Sequence, residues 1–261
     1  MTVDLTFFRQ RGYQILHGLI PPRTGAYLKG YLEGLVDPSL NAIRASVPFD
    51  SRPDFVKKVD EICRAGALES HEREVQMVMT GHFPLATRLS QDLWRVPKEE
   101  SVRKLLASAL RSEQLFMHMP PTARFVLPGS TRAAVPPHRD VSYNSHMRDF
   151  VILWVPLTDI DDECGGVAIY EGSHNKAEDP AGTENFWLKA VSTDGYERVH
   201  CTMKMGDALL MNQTMLHASV PNVSDRVRCS IDFRFFGGTS TSSKHMLDLQ
   251  QWQVIEPSPI Q

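Results

Sequence analysis

The sequence predicts a mainly β protein with flanking α-helices. Three observations predict it. Helical spacing of apolar residues is confined to the first third of the chain. After about residue 113 the pattern turns into short apolar or alternating runs, most of them separated by Gly, Pro or Asp clusters. No repeat, low-complexity tract or Gly/Ser-rich linker interrupts the chain. Helices first and a series of strands after them predict a β-sandwich or barrel with helices packed outside. With 261 residues, 42% hydrophobic and 23% charged, the composition is that of an ordinary globular chain. The simplest reading is one domain: 1–112 as mainly helical support, 113–240 as the β core and 241–261 as a C-terminal tail.

The elements follow in chain order. Pro21-Pro22-Arg23-Thr24 leads into a helix over Gly25–Leu35, where Tyr27, Leu28, Tyr31, Leu32 and Leu35 share a face. Asp54–Leu68 is a second helix, with Val56, Val59, Ile62 and Cys63 on one side. Pro97-Lys98-Glu99-Glu100 opens a third, followed by Val102, Leu105, Leu106 and Leu110. Strands are expected over Gln114–Met119, Ala123–Leu127, Phe150–Val155, Gly166–Tyr170, Arg198–Met203, Ala208–Met211 and Val227–Phe236. His217-Ala218-Ser219-Val220-Pro221-Asn222 reads as a strand end entering a turn.

Composition also excludes classes of function. A net charge of −3 provides no basic field for nucleic acid or an anionic membrane. No uninterrupted apolar run approaches a membrane span, and Asp4, Arg9 and Arg11 break the apolar character of residues 1–20. The four cysteines, Cys63, Cys164, Cys201 and Cys229, are scattered without a C-x-x-C pair. A cytoplasmic location is expected.

The chemistry lies in Pro137-His138-Arg139-Asp140. On a strand, residues i and i+2 face the same side, so His138 and Asp140 would project together and Arg139 away. One more histidine would complete the two-His, one-carboxylate set that holds non-heme Fe(II) with open coordination positions. His217, after the strand-like run Gly206–Met211, is the best third ligand. On the next strand Arg228 and Ser230 share a face. An arginine inside a barrel needs an anion, and its planar fork matches a carboxylate. Each residue also has a purely structural reading: a turn with a salt-bridged aspartate, a backbone-bonded histidine, an arginine paired with an acid. The ordered set is what favours a metal site.

Four stretches extend this reading: Pro137–Asp140, Ile152–Leu157, Cys164–His174, and Gly206-Asp207 through His217-Ala218-Ser219 to Arg228. Together they resemble the phytanoyl-CoA dioxygenase-like branch of the Fe(II)/2-oxoglutarate oxygenases, and Phe7–Tyr13 resembles that family's entry from helix to strand. The resemblance implies a double-stranded β-helix (jelly-roll, cupin-like) core behind an N-terminal helical layer. It implies His138, Asp140 and His217 as Fe(II) ligands. Arg228, eleven residues after His217, takes the position of the arginine that grips the 2-oxoglutarate C5 carboxylate. Ser219 matches that carboxylate's hydroxyl partner, and Trp154 an aromatic lining the cosubstrate. Ser230 joins them by strand alternation alone. His174 falls in a closing turn and is not a ligand. Halogenating relatives have a small residue where this chain has Asp140, so hydroxylation with O2 is expected, releasing succinate and CO2.

Arg124, Arg132, Asn144 and Trp187 are candidate substrate contacts, and Tyr143 and His146 also flank the metal motif. The stretch 176–195, with Phe186 and Trp187, reads as a lid or as a surface loop with an aromatic anchor. A small-molecule substrate is expected, and no motif selects it or fixes the oligomeric state. Two other readings use the same residues: a cupin-like isomerase or lyase without 2-oxoglutarate, for which Arg228 would be superfluous, and a jelly-roll binding protein that has lost catalysis.

Overall fold

A computed structural model of the chain describes residues 4–142, 144, 147–175, 183–184, 187–238 and 242–257, with the backbone alone described at 183–184 and 187–188. The helices are α1 (Thr6–Arg11), α2 (Pro22–Ala42), α3 (Arg52–Arg64), α4 (Arg73–Met79), α5 (Leu85–Arg88), α6 (Arg95–Lys98) and α7 (Glu100–Leu110). The strands are β1 (Tyr13–Leu16), β2 (Leu115–His118), β3 (Thr122–Val126), β4 (Phe150–Pro156), β5 (Gly166–Tyr170), β6 (Thr183–Glu184), β7 (Trp187–Leu188), β8 (Arg198–His200), β9 (Ala208–Asn212), β10 (His217–Val220), β11 (Arg228–Gly237), β12 (Met246–Asp248) and β13 (Val254–Ile255).

The expected helices form with shifted ends. α2 starts at Pro22, where a missing N–H costs nothing, and runs through Pro38 to Ala42 rather than stopping near residue 35. Leu28, Leu32, Val36 and Leu40 recur every four residues and are all buried, which outweighs the hydrogen bond that Pro38 removes. α3 begins at Arg52 because the Ser51 hydroxyl accepts the Asp54 amide at 3.4 Å. α7 starts at Glu100, and Pro97 belongs to the separate turn α6.

A large antiparallel sheet runs β1-β9-β4-β11-β2-β12-β13, with β3 also paired to β11. A smaller sheet, β10-β5-β8, covers it. β1 and β12, outside the 113–240 span, thus also contribute strands to the large sheet. Alternation along β11 builds two cores. Cys229, Ile231, Phe233 and Phe235 face the helical layer and cluster with Leu28, Leu32, Val102 and Leu105. On the opposite face Trp154, Ile152, Leu209 and Phe236 meet Val167 and Ile169 of the smaller sheet. Arg228, Ser230, Asp232 and Arg234 alternate with the outer row and therefore face this interior.

Candidate metal centre and cosubstrate site

The three expected metal-binding residues converge, by a route other than the expected one. His138 does not sit on a regular strand, and His217 starts β10 rather than ending a strand. The two histidines form an isolated antiparallel bridge, His138 N–H to His217 O at 2.9 Å and His217 N–H to His138 O at 3.0 Å. Asp140 then enters a short 3-10 turn, Asp140–Ser142. The bridge fixes the two imidazoles 4.3 Å apart by ring centroid, and the turn swings the carboxylate back toward them. Asp140 Oδ1 lies 3.5 Å from His138 Nε2 and 3.8 Å from His217 Nε2.

Local bonds orient each side chain. His138 Nδ1 faces Pro136 O at 2.7 Å and His217 Nδ1 faces Met215 O at 3.0 Å. A carbonyl can only accept, so each Nδ1 carries a hydrogen, which leaves Nε2 as the nitrogen whose lone pair can meet a metal. Burial, followed by the neighbouring His138, pushes His217 down to about 4, so its ring is neutral near pH 7. Burial alone would raise the Asp140 carboxyl. The Arg234 guanidinium, His138 and His217 outweigh it and hold that group well below the ordinary carboxylate range. The three ligand atoms lie within 4.8 Å of one another and all three residues are buried. Two neutral imidazoles and one carboxylate are the donor set that suits Fe(II).

Arg228 is 3% exposed, and its Nη1 donates to Gly166 O at 3.1 Å. Its Nε is buried without a partner, and among the described residues no carboxylate pairs with it. Burial pushes it down to about 10. A buried cation without a counter-ion is costly, so this position suits an anion. Gly165 and Gly166, with φ of +83° and +101°, make the turn that presents the Gly166 carbonyl. A Cβ on Gly165 would lie 2.4 Å from Val220 O. Ser230 shares the inner face of β11 with Arg228, and Trp154 on β4 is 7% exposed in the same interior core. Ser219 lies two residues beyond His217 on β10 and pairs with Val167, a residue of that core. The interior thus brings together the triad, Arg228, Ser219, Ser230 and Trp154.

The remaining candidates fare differently. Arg124 lies on the inner face of β3 opposite Ser230. Its guanidinium is bonded to Thr80 O and Ala133 O, which stitches two loops together. Arg132 is not brought to the triad: its Nε donates to Asp60 of α3 at 2.8 Å in a surface groove shared with Pro53 and Lys57. Asn144 is buried and its amide caps the Asp140–Ser142 turn, Nδ2 to Asp140 O at 3.0 Å. The Trp187 side chain, Phe186, Tyr143, His146 and residues 176–182 of the expected lid lie outside the described residues. Arg139 is bonded to backbone carbonyls. Its buried guanidinium donates to Ser173 O at 2.7 Å and to Thr214 O, tying the motif to the neighbouring turns.

Sequence reading missed Arg234 and Asp232. Arg234 Nε donates to Asp140 Oδ2 at 2.7 Å, and its Nη2 lies 3.0 Å from Asp232 Oδ2. The signal was present: two further steps of the alternation that linked Arg228 to Ser230 reach both residues.

The phytanoyl-CoA dioxygenase family profile matches residues 8–230. A 1-deoxypentalenic acid 11-beta-hydroxylase of Streptomyces arenae is 30% identical over 184 residues, 64% of this chain and 62% of that protein. The chain thus spans less than two thirds of that curated relative. A phytanoyl-CoA dioxygenase domain-containing protein 1 of Danio rerio is 24% identical over 91% of this chain and 90% of its own. Among solved structures, the epimerase SnoN in complex with Fe3+, alpha ketoglutarate and nogalamycin RO superposes with a TM-score of 0.62. It is 16% identical and covers 90% of this chain and 82% of its own. The non-heme alpha ketoglutarate dependent carbocyclase SnoK gives 0.52 at 14% identity, covering 98% and 92%. At such identities the likeness is one of fold, which is the jelly-roll expected from the sequence. No helix among the described residues is long and apolar enough to cross a membrane.

Proposed function

We propose, from the premise that this chain belongs to the phytanoyl-CoA dioxygenase family, that it is an Fe(II)- and 2-oxoglutarate-dependent hydroxylase acting on an unactivated C–H of a small molecule. The observation that carries the reading is Arg228, a buried cation with no carboxylate partner among the described residues, on the same interior as a buried His-Asp-His cluster. One anion with two ends satisfies both sites. Its C5 carboxylate would meet the Arg228 fork, with Ser219 and Ser230 as hydroxyl partners and Trp154 against its chain. Its other end would lie at the metal held by His138, Asp140 and His217.

Bound Fe(II) with 2-oxoglutarate supplies the activation of O2 that oxidises a C–H bond, with release of succinate and CO2. The chain's own residues do the rest. The imidazoles hold their Nε2 lone pairs in place through Pro136 O and Met215 O. Arg228 would set the direction of the cosubstrate, because its planar fork matches a carboxylate as a point charge does not. The apolar wall of Ile152, Trp154, Val167 and Ile169 excludes bulk water from the interior. Hydroxylation is favoured because Asp140 supplies a carboxylate and because the 30%-identical relative is a hydroxylase. That relative also favours a natural-product intermediate as substrate.

The test is spectroscopic. Anaerobic protein with Fe(II) and 2-oxoglutarate should show the weak visible charge-transfer band of a chelated complex. A succinate-release screen over acyl-CoA esters, amino acids, phosphonates and natural-product scaffolds would then find the substrate. Absence of the band, together with no thermal protection by 2-oxoglutarate, would remove the reading.

A further inference from the structure

We infer that Arg234, held by Asp232, is a positioning residue for the metal ligand Asp140: it occupies the distal carboxylate oxygen, so Asp140 offers the metal a single oxygen. The inference rests on the metal-site reading above and goes beyond it. Oδ2 of Asp140 receives Arg234 Nε at 2.7 Å, while Oδ1 faces the two imidazoles at 3.5 and 3.8 Å. The carboxylate is thus already divided into one oxygen for the protein and one for the metal. A carboxylate free to bind through both oxygens would consume a coordination position that a chelating cosubstrate and O2 require.

The relay is built into the fold. Asp232 and Arg234 are two residues apart on the inner face of β11, and the side chains of Asp140 and Arg234 are 1% and 8% exposed. β11 pairs with β4 from Ser230 to Phe236, with Asp232 opposite Trp154 and Arg234 opposite Ile152, so a central strand carries the pair. The metal motif itself has no regular strand beneath Asp140, only a 3-10 turn. The arginine gives that turn a fixed point on the large sheet.

Charge explains why the arginine needs its own acid. A lone guanidinium beside the site would repel a divalent cation. Asp232 lies 3.0 Å from Arg234 Nη2 and cancels most of that field. What remains of Arg234 at the metal is direction, supplied by a charge-assisted hydrogen bond.

The experiment uses Co(II) as an air-stable probe for Fe(II), read by calorimetric titration and by the Co(II) visible spectrum, beside thermal melts of the metal-free proteins. The double variant Asp232→Asn/Arg234→Met exchanges a near-neutral pair for a neutral one, so net charge at the site is kept and only the orienting donor is lost. Its Co(II) affinity should fall about 10- to 100-fold, as for other outer partners of metal ligands, with a changed spectrum. Arg234→Lys, which keeps one N–H for Oδ2, should recover most of the affinity. A merely structural role would lower the melting temperature and leave affinity and spectrum of the folded protein unchanged. A Co(II) visible spectrum and affinity that both equal wild type in the double variant overturn the inference. Should that variant fail to fold, Asp232→Asn alone keeps the side-chain volume and should weaken Co(II) several-fold, and wild-type affinity there is equally fatal. His217→Ala separates the two readings: if it binds Co(II) as wild type does, the metal-site reading itself fails.

Discussion

Replacing Arg228 by methionine should move stability and cosubstrate affinity in opposite directions. Methionine keeps the apolar stem and removes the charge. In the metal-free protein that charge is a burden: burial pushes the guanidinium down from 12.5 to about 10, equivalent to about 3 kcal/mol held against the cation. The hydrogen bond to Gly166 O returns about 1 kcal/mol of this. The variant should therefore gain about 2 kcal/mol, which for a chain of this size raises the melting temperature by roughly 4–8 °C. With 2-oxoglutarate the sign reverses. Loss of a buried charge pair costs about 2–5 kcal/mol, so affinity should fall roughly 30- to several-thousand-fold. Thermal melts of protein loaded with Mn(II), with and without 2-oxoglutarate, read both effects. Wild type should gain about 2.7 kcal/mol at a hundredfold excess over Kd, and the variant at most about 0.9 kcal/mol at that concentration. Unchanged 2-oxoglutarate affinity, or a metal-free variant that melts below wild type, would refute the reasoning.

Three other outcomes follow from the same geometry. Asp140→Ala should abolish succinate release and the charge-transfer band, and residual turnover above a tenth of wild type would contradict its role as a ligand. Burial, then Arg124 and Arg88, holds His82 well below 6.5, so the unfolded chain takes up that proton first. Stability should fall as pH drops below 6.5, by up to about 1.4 kcal/mol per pH unit from this group, and urea titrations of His82→Gln should lack that component. Gly165→Ala should cost about 1–3 kcal/mol, because its φ is +83° and the new Cβ would meet Val220 O; a loss under about 0.5 kcal/mol in urea would mean the turn can yield.

The sequence by itself determined the fold class and singled out the candidate ligands and the candidate clamp. Residue identity carries those: imidazoles and a carboxylate at His138, Asp140 and His217, a fork at Arg228, and period-2 apolar runs from Phe150 to Phe236. Tertiary structure decided how the ligands meet. His138 and Asp140 converge through a cross-chain bridge and a 3-10 turn rather than along one strand, and no spacing encodes a bridge to a residue 79 positions away. It also decided which arginines are which. Arg124, Arg132, Arg228 and Arg234 are equivalent as letters. Arg132 finds Asp60 at the surface, Arg124 finds backbone carbonyls, Arg234 finds Asp140, and Arg228 finds no acid among the described residues. An arginine's role is set by the partner that packing places before it, and long-range packing is what a linear pattern does not contain.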